Sequence, residues 1–236
     1  LDKLGENPQA FVDLGLRLAN IFETQLEDVD NAIARYRRVL AIDMENQTAV
    51  RSLDRLFSMT DRWADLAQIL AREAEIAQAP DEQLELKYRL GQVQQLRLND
   101  VNAAIAAYRE VITQAPDHQA TLEALEGLFA NGIKQMEIGE ILEPLYQNTG
   151  DWEKLSRVLE AELAQLTGRE ERLAMYYRIA ELFEEKLIST DGALAVYVRV
   201  LKEYPSDEKA LEEVERLAGS TDGGWETLAN AYADVL

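Results

Sequence analysis

Few residues in this chain have the type and spacing that chemistry requires. Asp28 and Asp30 open like a calcium loop, in which alternate carboxylates ligate the ion. That loop needs glycine at its sixth place, where Ile33 stands, and both acids fall at a helix start, where negative charge is favoured anyway. His118 is the only histidine; it follows Pro116-Asp117, no serine or cysteine motif accompanies it, and it is expected to be an exposed turn residue. A single histidine excludes H-E-x-x-H, and the absence of cysteine excludes thiolate zinc sites, disulfides and cysteine nucleophiles. There is no phosphate loop of the G-x-x-x-x-G-K-[ST] kind, and Gly223-Gly224 falls in an inter-helix turn. Adjacent carboxylates such as Glu184 and Glu185 carry no mark of catalysis over solvation, and the Asn46-Gln47-Thr48 triplet is a pattern that arises by chance. No catalytic residue, metal site or cofactor is expected.

Composition narrows the class further. The 236 residues hold 24 Lys+Arg against 44 Asp+Glu, a formal charge of −20, which argues against nucleic acid because phosphate contacts need clustered cations. With 47% hydrophobic residues the chain can bury a core, so disorder is excluded. No uncharged run approaches the roughly 18 residues of a membrane span, and no basic start with an apolar run marks a signal peptide. The sequence begins at Leu1 rather than Met and is expected to be an excised fragment or processed product of a longer chain; cytoplasm and periplasm both remain open.

The chain repeats itself. Leu16–Leu40, Tyr88–Ile112 and Tyr177–Leu201 superpose without gaps, at offsets of 72 and 89 residues, bringing Ala32, Ala104 and Ala193 together, and Tyr36, Tyr108 and Tyr197. Between these copies runs a second unit, marked by Trp63, Trp152 and Trp225, each followed three residues later by leucine. Apolar residues recur at three- and four-residue steps within every unit, as in Ile33, Tyr36, Val39 and Leu40, which is the amphipathic helical period. Asp28, Asp61, Asp100, Asp151 and Ser189 are expected to cap helix starts, and Pro80, Pro116 and Pro205 precede further ones. No segment alternates with period two, so the expected fold is all-α, with about thirteen helices. The tryptophans, spaced as Trp63, Leu66 and Leu70, are expected to lie in the core.

Small residues set how closely paired helices approach. Ala19, Gly91 and Ala180 share one place on the first helix of a pair, and Ala32, Ala104 and Ala193 share one on the second, with the tyrosines filling the space beside them. This pattern resembles the tetratricopeptide repeat, whose small residue, Ala, aromatic and closing Pro fall on Gly91, Ala104, Tyr108 and Pro116, and again on Ala180, Ala193, Tyr197 and Pro205. The first copy departs with Met44 in place of Pro, all three carry one extra residue in the inter-helix turn, and the tryptophan units depart further. The resemblance implies a single array over 1–236, a right-handed superhelical solenoid of antiparallel helix hairpins. Leu1–Pro8 aligns with the tail of a tryptophan helix, and an irregular extra helix is expected near 131–150, where Leu125-Glu-Gly-Leu128-Phe129 recurs 17 residues on as Leu142-Glu-Pro-Leu145-Tyr146. Pro144 is expected to kink or break that helix.

In that family the first helix of each pair lines the concave face, which here implies Leu16, Asn20, Glu23, Arg51, Arg55, Tyr88, Gln92, Gln95, Tyr177, Glu181, Glu184, Glu212 and Arg216 as partner-binding residues. Tyr88 and Tyr177 either anchor a ligand or pack on the next repeat. Leu16 stands where relatives that clamp a terminal carboxylate carry Lys, so that ligand type is not expected. Charge is uneven: residues 35–62 carry a net +2 and residues 203–236 a net −7. The acidic end is expected either to attract a basic partner surface, or the basic segment of a second copy, or to serve solubility. The implied function is a non-enzymatic scaffold binding a peptide or protein; the alternative is a regulatory or substrate-recruiting arm of a larger enzyme. Direct membrane insertion is not expected, and self-association is open.

Overall fold

The computed structural model describes residues 8–220 and 222–235, the side chains of Ala231, Asp234 and Val235 excepted. Among these residues there are thirteen α-helices and no strand. Two compact units divide the chain, one through Leu125 and one from Glu126. Unit 1 holds α1 (Pro8–Thr24), α2 (Val29–Leu40), α3 (Gln47–Met59), α4 (Trp63–Ile76), α5 (Pro80–Leu96) and α6 (Val101–Gln114). Helix α7 (Gln119–Ala130) carries the boundary. Unit 2 holds α8 (Gln135–Thr149), α9 (Trp152–Gln165), α10 (Arg169–Glu181), α11 (Thr190–Glu203), α12 (Glu208–Ala218) and α13 (Gly224–Val235). Most of the segment aligned with a tryptophan-helix tail, residues 1–7, lies outside the described residues.

Pairs form between sequence neighbours: α1 with α2, α3 with α4, α5 with α6, α8 with α9, α10 with α11 and α12 with α13. The three tyrosine hairpins, α1–α2, α5–α6 and α10–α11, close through small residues. Ala19, Ala32, Ala104, Ala180 and Ala193 are fully buried. At Gly91 a Cβ would come 2.4 Å from Cε1 of Tyr108, so glycine is what lets that ring lie against the α5 backbone.

Starts and stops obey local chemistry. Asp28, Asn46, Asp100, Asp151, Ser189 and Asp207 each accept a backbone N–H from three residues on. The hydrogen bonds from Asn31 hold the Asp28 carboxyl below its ordinary range, which is capping rather than calcium chemistry. Pro80 is the first residue of α5, where its missing N–H costs nothing. Asp61 does not cap α4, against expectation: Arg62 holds that place without a side-chain bond, and Asp61 has φ +54°. The reason is the turn, which needs a left-handed residue two places before each tryptophan, supplied by Asp61, Gly150 and Gly223. In the tyrosine hairpins the same need falls on Glu27, Asn99 and Ile188. There the one-residue insertion is absorbed by widened bonds, with the N–H groups of Asp28, Asp100 and Ser189 donating to carbonyls six residues back. In the third copy the widening reaches back into a π-helical turn over Leu182–Lys186.

Three helices, α7, α8 and α9, lie between α6 and α10. An 89-residue step maps α2 onto α7, and burial agrees with it: Ala32, Tyr36 and Val39 correspond to Thr121, Leu125 and Leu128, all buried. The ion pair Arg37–Asp65 of unit 1 reappears at this step in unit 2 as Glu126–Lys154 (2.8 Å), with the signs exchanged. A 72-residue step maps α3 onto α7 as well, with Ala49, Leu53 and Leu56 buried at the same three places. Pro144 does not break α8, which runs through it with the proline exposed.

The tryptophans are not core. Trp63 and Trp152 are half-buried and Trp225 is 60% exposed, while the leucines three residues on, Leu66, Leu155 and Leu228, are buried. A ring at the first residue of a helix lies beside its own hairpin and is covered only when the next hairpin reaches it. Arg97 covers Trp63, with Cζ 4.6 Å from the ring centroid, and Lys186 lies over Trp152 at 5.8 Å.

Candidate interaction surface

In unit 1 the first helices place the expected residues on the backing of the tyrosine contacts. Leu16 is half-buried against the core, and Asn20 is exposed. Glu23 accepts a hydrogen bond from the Tyr36 hydroxyl (3.1 Å) and pairs with Arg55. Gln95 repeats the first of these contacts, its Oε1 accepting from Tyr108 at 2.8 Å. Arg51 pairs with Glu82 (2.9 Å). Tyr88 is half-buried; its hydroxyl accepts from Gln92 (2.8 Å), and its ring lies 6.0 Å from Tyr108 and 5.3 Å from His118.

His118 is therefore not an exposed turn residue. Its Nδ1 accepts the backbone N–H of Thr121 (3.3 Å) and bonds the Thr121 hydroxyl (2.8 Å), which gives that buried threonine its partner. The imidazole caps a helix and backs Tyr88.

Unit 2 repeats this design. Tyr177 is half-buried, its ring 6.1 Å from Tyr197, and its hydroxyl donates to Asp207, the cap of α12. Burial and that carboxylate push the Tyr177 hydroxyl well above its ordinary pKa. Lys209 stands over the ring, Nζ 4.1 Å from its centroid. Glu184 pairs with Arg216 (2.7 Å), as Glu23 does with Arg55, and Glu213 holds the same guanidinium. Glu181 and Glu212 are exposed. Tyr88 and Tyr177 thus pack on the next repeat and keep part of their surface open.

Two carboxylates that sequence reading missed lie between hairpins. Glu73 and Glu162, 89 residues apart, are both buried, and burial raises both pKa values, with Asp54 and Glu143 adding to it. Beside them Arg89 grips Asp54 with two bonds of 3.0 Å, and Arg178 pairs with Glu143. Glu73 Oε2 has no hydrogen-bond partner. Reading charges at the repeat spacing would have found this set.

The arginine-rich segment is largely absorbed internally. Arg37 pairs with Asp65 and Arg62 with Asp30, while Arg35 and Arg38 lie over Phe22 and Phe11. Among the described residues no helix is long and apolar enough to cross a membrane.

Antiparallel helix pairs closed by small residues, stacked within each unit, define an all-α hairpin-repeat protein, an architecture that serves protein interaction. Family models for the tetratricopeptide repeat match residues 14–50 and 85–118, the hairpins of α1 with α2 and of α5 with α6. The chain thus carries tetratricopeptide repeats at these two places.

Among solved structures it is similar to PilF of Pseudomonas aeruginosa, at 16% identity over 85% of this chain and 80% of that one, with a TM-score of 0.34. It is also similar to YrrB, described as a TPR protein with an unusual peptide-binding site (14% identity, 89% and 95% covered, TM-score 0.34). A third is the TPR2AB domain of yeast Sti1 in a pHSP90 complex (16%, 96% and 99%, 0.35). No curated protein sequence matches the chain.

Proposed function

We propose that the chain is a non-enzymatic scaffold that binds a peptide or protein segment along its first helices, with unit 2 taking a basic segment. The supporting observation is a substitution pattern at a 161-residue step. Glu23 and Arg55 become Glu184 and Arg216, keeping the ion pair, whereas Leu16, Asn20 and Arg51 become Tyr177, Glu181 and Glu212. The framework pair is held while the residues around it turn acidic and aromatic. Exposed Glu181 and Glu212 flank a Tyr177 whose orientation is fixed by Asp207 and Tyr197. A ring held in place loses little entropy on binding, and acidic neighbours favour Lys or Arg in the ligand. Lys209 already occupies the ring face, and a partner's cation would displace it.

Fluorescence anisotropy with short labelled Lys-rich and Glu-rich peptides tests this. The Lys-rich peptides should bind, about tenfold more weakly to Tyr177→Ala and to Glu181→Gln/Glu212→Gln, and more weakly at high salt. Equal binding of both peptide classes, or indifference to these variants, would remove the assignment.

A further inference from the structure

Each unit contains a groove of the same construction. In unit 1 a groove of about 550 Å³ is lined by α2, α3 and α4, with Leu40, Leu53, Phe57 and Ile69 as its apolar floor. In unit 2 a groove of about 290 Å³ is lined by α7, α8 and α9, and its floor is Phe129, Leu142, Tyr146 and Val158. Each of these four stands 89 residues after its counterpart. Met44, which also lines the first groove and is 62% exposed, corresponds at that step to the exposed Ile133. None of the lining residues belongs to the set around Tyr177, Glu181 and Glu212.

Both grooves carry an ion pair that holds a cation over the ring. In unit 1 Arg37 pairs with Asp65 and lies 5.2 Å from the Phe57 centroid. In unit 2 Lys154 pairs with Glu126 at 2.8 Å and lies 5.6 Å from the Tyr146 centroid, and the Tyr146 hydroxyl also donates to Glu126. The acid of each groove is therefore engaged internally. One arginine of each is not: Arg72 on α4 and Arg157 on α9 enter no ion pair or hydrogen bond among the described residues. They do not occupy the same place. Gln68 stands where Arg157 does, and Ala161 where Arg72 does, so the arginine has moved four residues, about 6 Å along the helix, and the charge has stayed. On a chain of formal charge −20, each groove ends with one cation in excess.

We infer that the two grooves dock acidic, apolar segments of a partner protein. An apolar side chain of the segment lies over the floor, and a neighbouring Asp or Glu pairs with Arg72 in unit 1 or Arg157 in unit 2. Most of the chain's surface repels such a segment, so the unengaged arginine is the contact that discriminates for it. At physiological ionic strength the Debye length of about 8 Å screens the net charge of the chain and leaves this local pairing in force.

Calorimetric titration of the full chain with a short peptide alternating Leu and Glu tests this. The peptide should fill two sites per chain, and a Glu–Ser peptide, with no apolar side chain, should fill neither. Arg72→Gln and Arg157→Gln should each weaken one site about tenfold, whereas Arg72→Lys/Arg157→Lys, which keeps the charge, should retain most of the binding. Gln68→Arg added to Arg72→Gln should restore the first site, because unit 2 carries its cation at that place; misfolding cannot produce such a recovery. Tyr177→Ala should leave both sites intact, so this inference and the basic-segment reading fail separately. A Leu–Glu peptide that does not bind, binding indifferent to both arginines, or self-association that depends on them in place of peptide binding would overturn the inference.

Discussion

Arg97 lies over the face of Trp63 at 4.6 Å, and 89 residues on Lys186 takes the same position over Trp152. The cation comes from the end of the first helix of one hairpin and the ring from the start of the second helix of the hairpin before it, so the contact ties consecutive repeats. Arg97→Ala should cost about 0.5–1 kcal/mol, and a double-mutant cycle with Trp63→Phe should show that the two changes are not additive. Trp225→Ala, with no such cover, should cost less than Trp63→Ala in urea unfolding of dilute protein.

Ile188 is β-branched, exposed and left-handed, with φ +51°. The conformation costs an L-residue about 1–2 kcal/mol and glycine almost nothing. Ile188→Gly should therefore stabilise unit 2 by about 1 kcal/mol, seen as a higher thermal midpoint. Asn99 already supplies a tolerant residue at the matching place in α5–α6.

Gly91→Ala should destabilise by about 1–3 kcal/mol, because the added methyl meets the Tyr108 ring in a packed hairpin. Ala19 and Ala180 stand at the same place opposite Tyr36 and Tyr197, so of these three tyrosine contacts that of α5–α6 is the one made onto glycine. Urea unfolding of the variant beside Tyr108→Phe separates the steric clash from the hydroxyl bond to Gln95.

Much of this was legible in one chain because the array is its own alignment. The alanine, glycine and tyrosine places fix hairpin contacts, and Asp28, Asp100, Asp151 and Ser189 cap as their type demands. The tryptophans misled because helical spacing reports which face a residue shares, not whether the next hairpin reaches it. Asp61 misled because a left-handed turn and an N-cap favour the same residue types. Partner choice was beyond local reading: Asp54 meets Arg89 and Glu143 meets Arg178 at a sequence separation of 35, a distance that only hairpin stacking closes. Of the thirteen residues expected on the binding face, several are occupied with one another, Glu23 with Arg55 and Glu184 with Arg216.

Stability should respond to pH in two opposed ways. Glu73 and Glu162 have raised pKa values, so the native state binds more protons than the unfolded chain near and above the ordinary carboxylate range. Their contribution improves as pH falls and is lost as pH rises. Glu203, held down to about 2 by Arg172 and by hydroxyl bonds from Tyr204 and Tyr176, contributes stability above the ordinary glutamate pKa and loses it as pH falls toward 2. Glu73→Gln should therefore raise the thermal midpoint at pH 7, and the gain should shrink by pH 4. Glu203→Gln should lower it at pH 7 and have little effect near pH 2.

Modules of one fold repeated along a chain can fold onto the wrong neighbour, a characteristic hazard of repeat proteins. The exchanged signs of Arg37–Asp65 and Glu126–Lys154 bear on that hazard. If α2 settled in the seat that α7 occupies, Arg37 would face Lys154; if α7 settled in the seat of α2, Glu126 would face Asp65. Either error sets like charges together, so the polarity of one ion pair gives each helix an address and rejects the other.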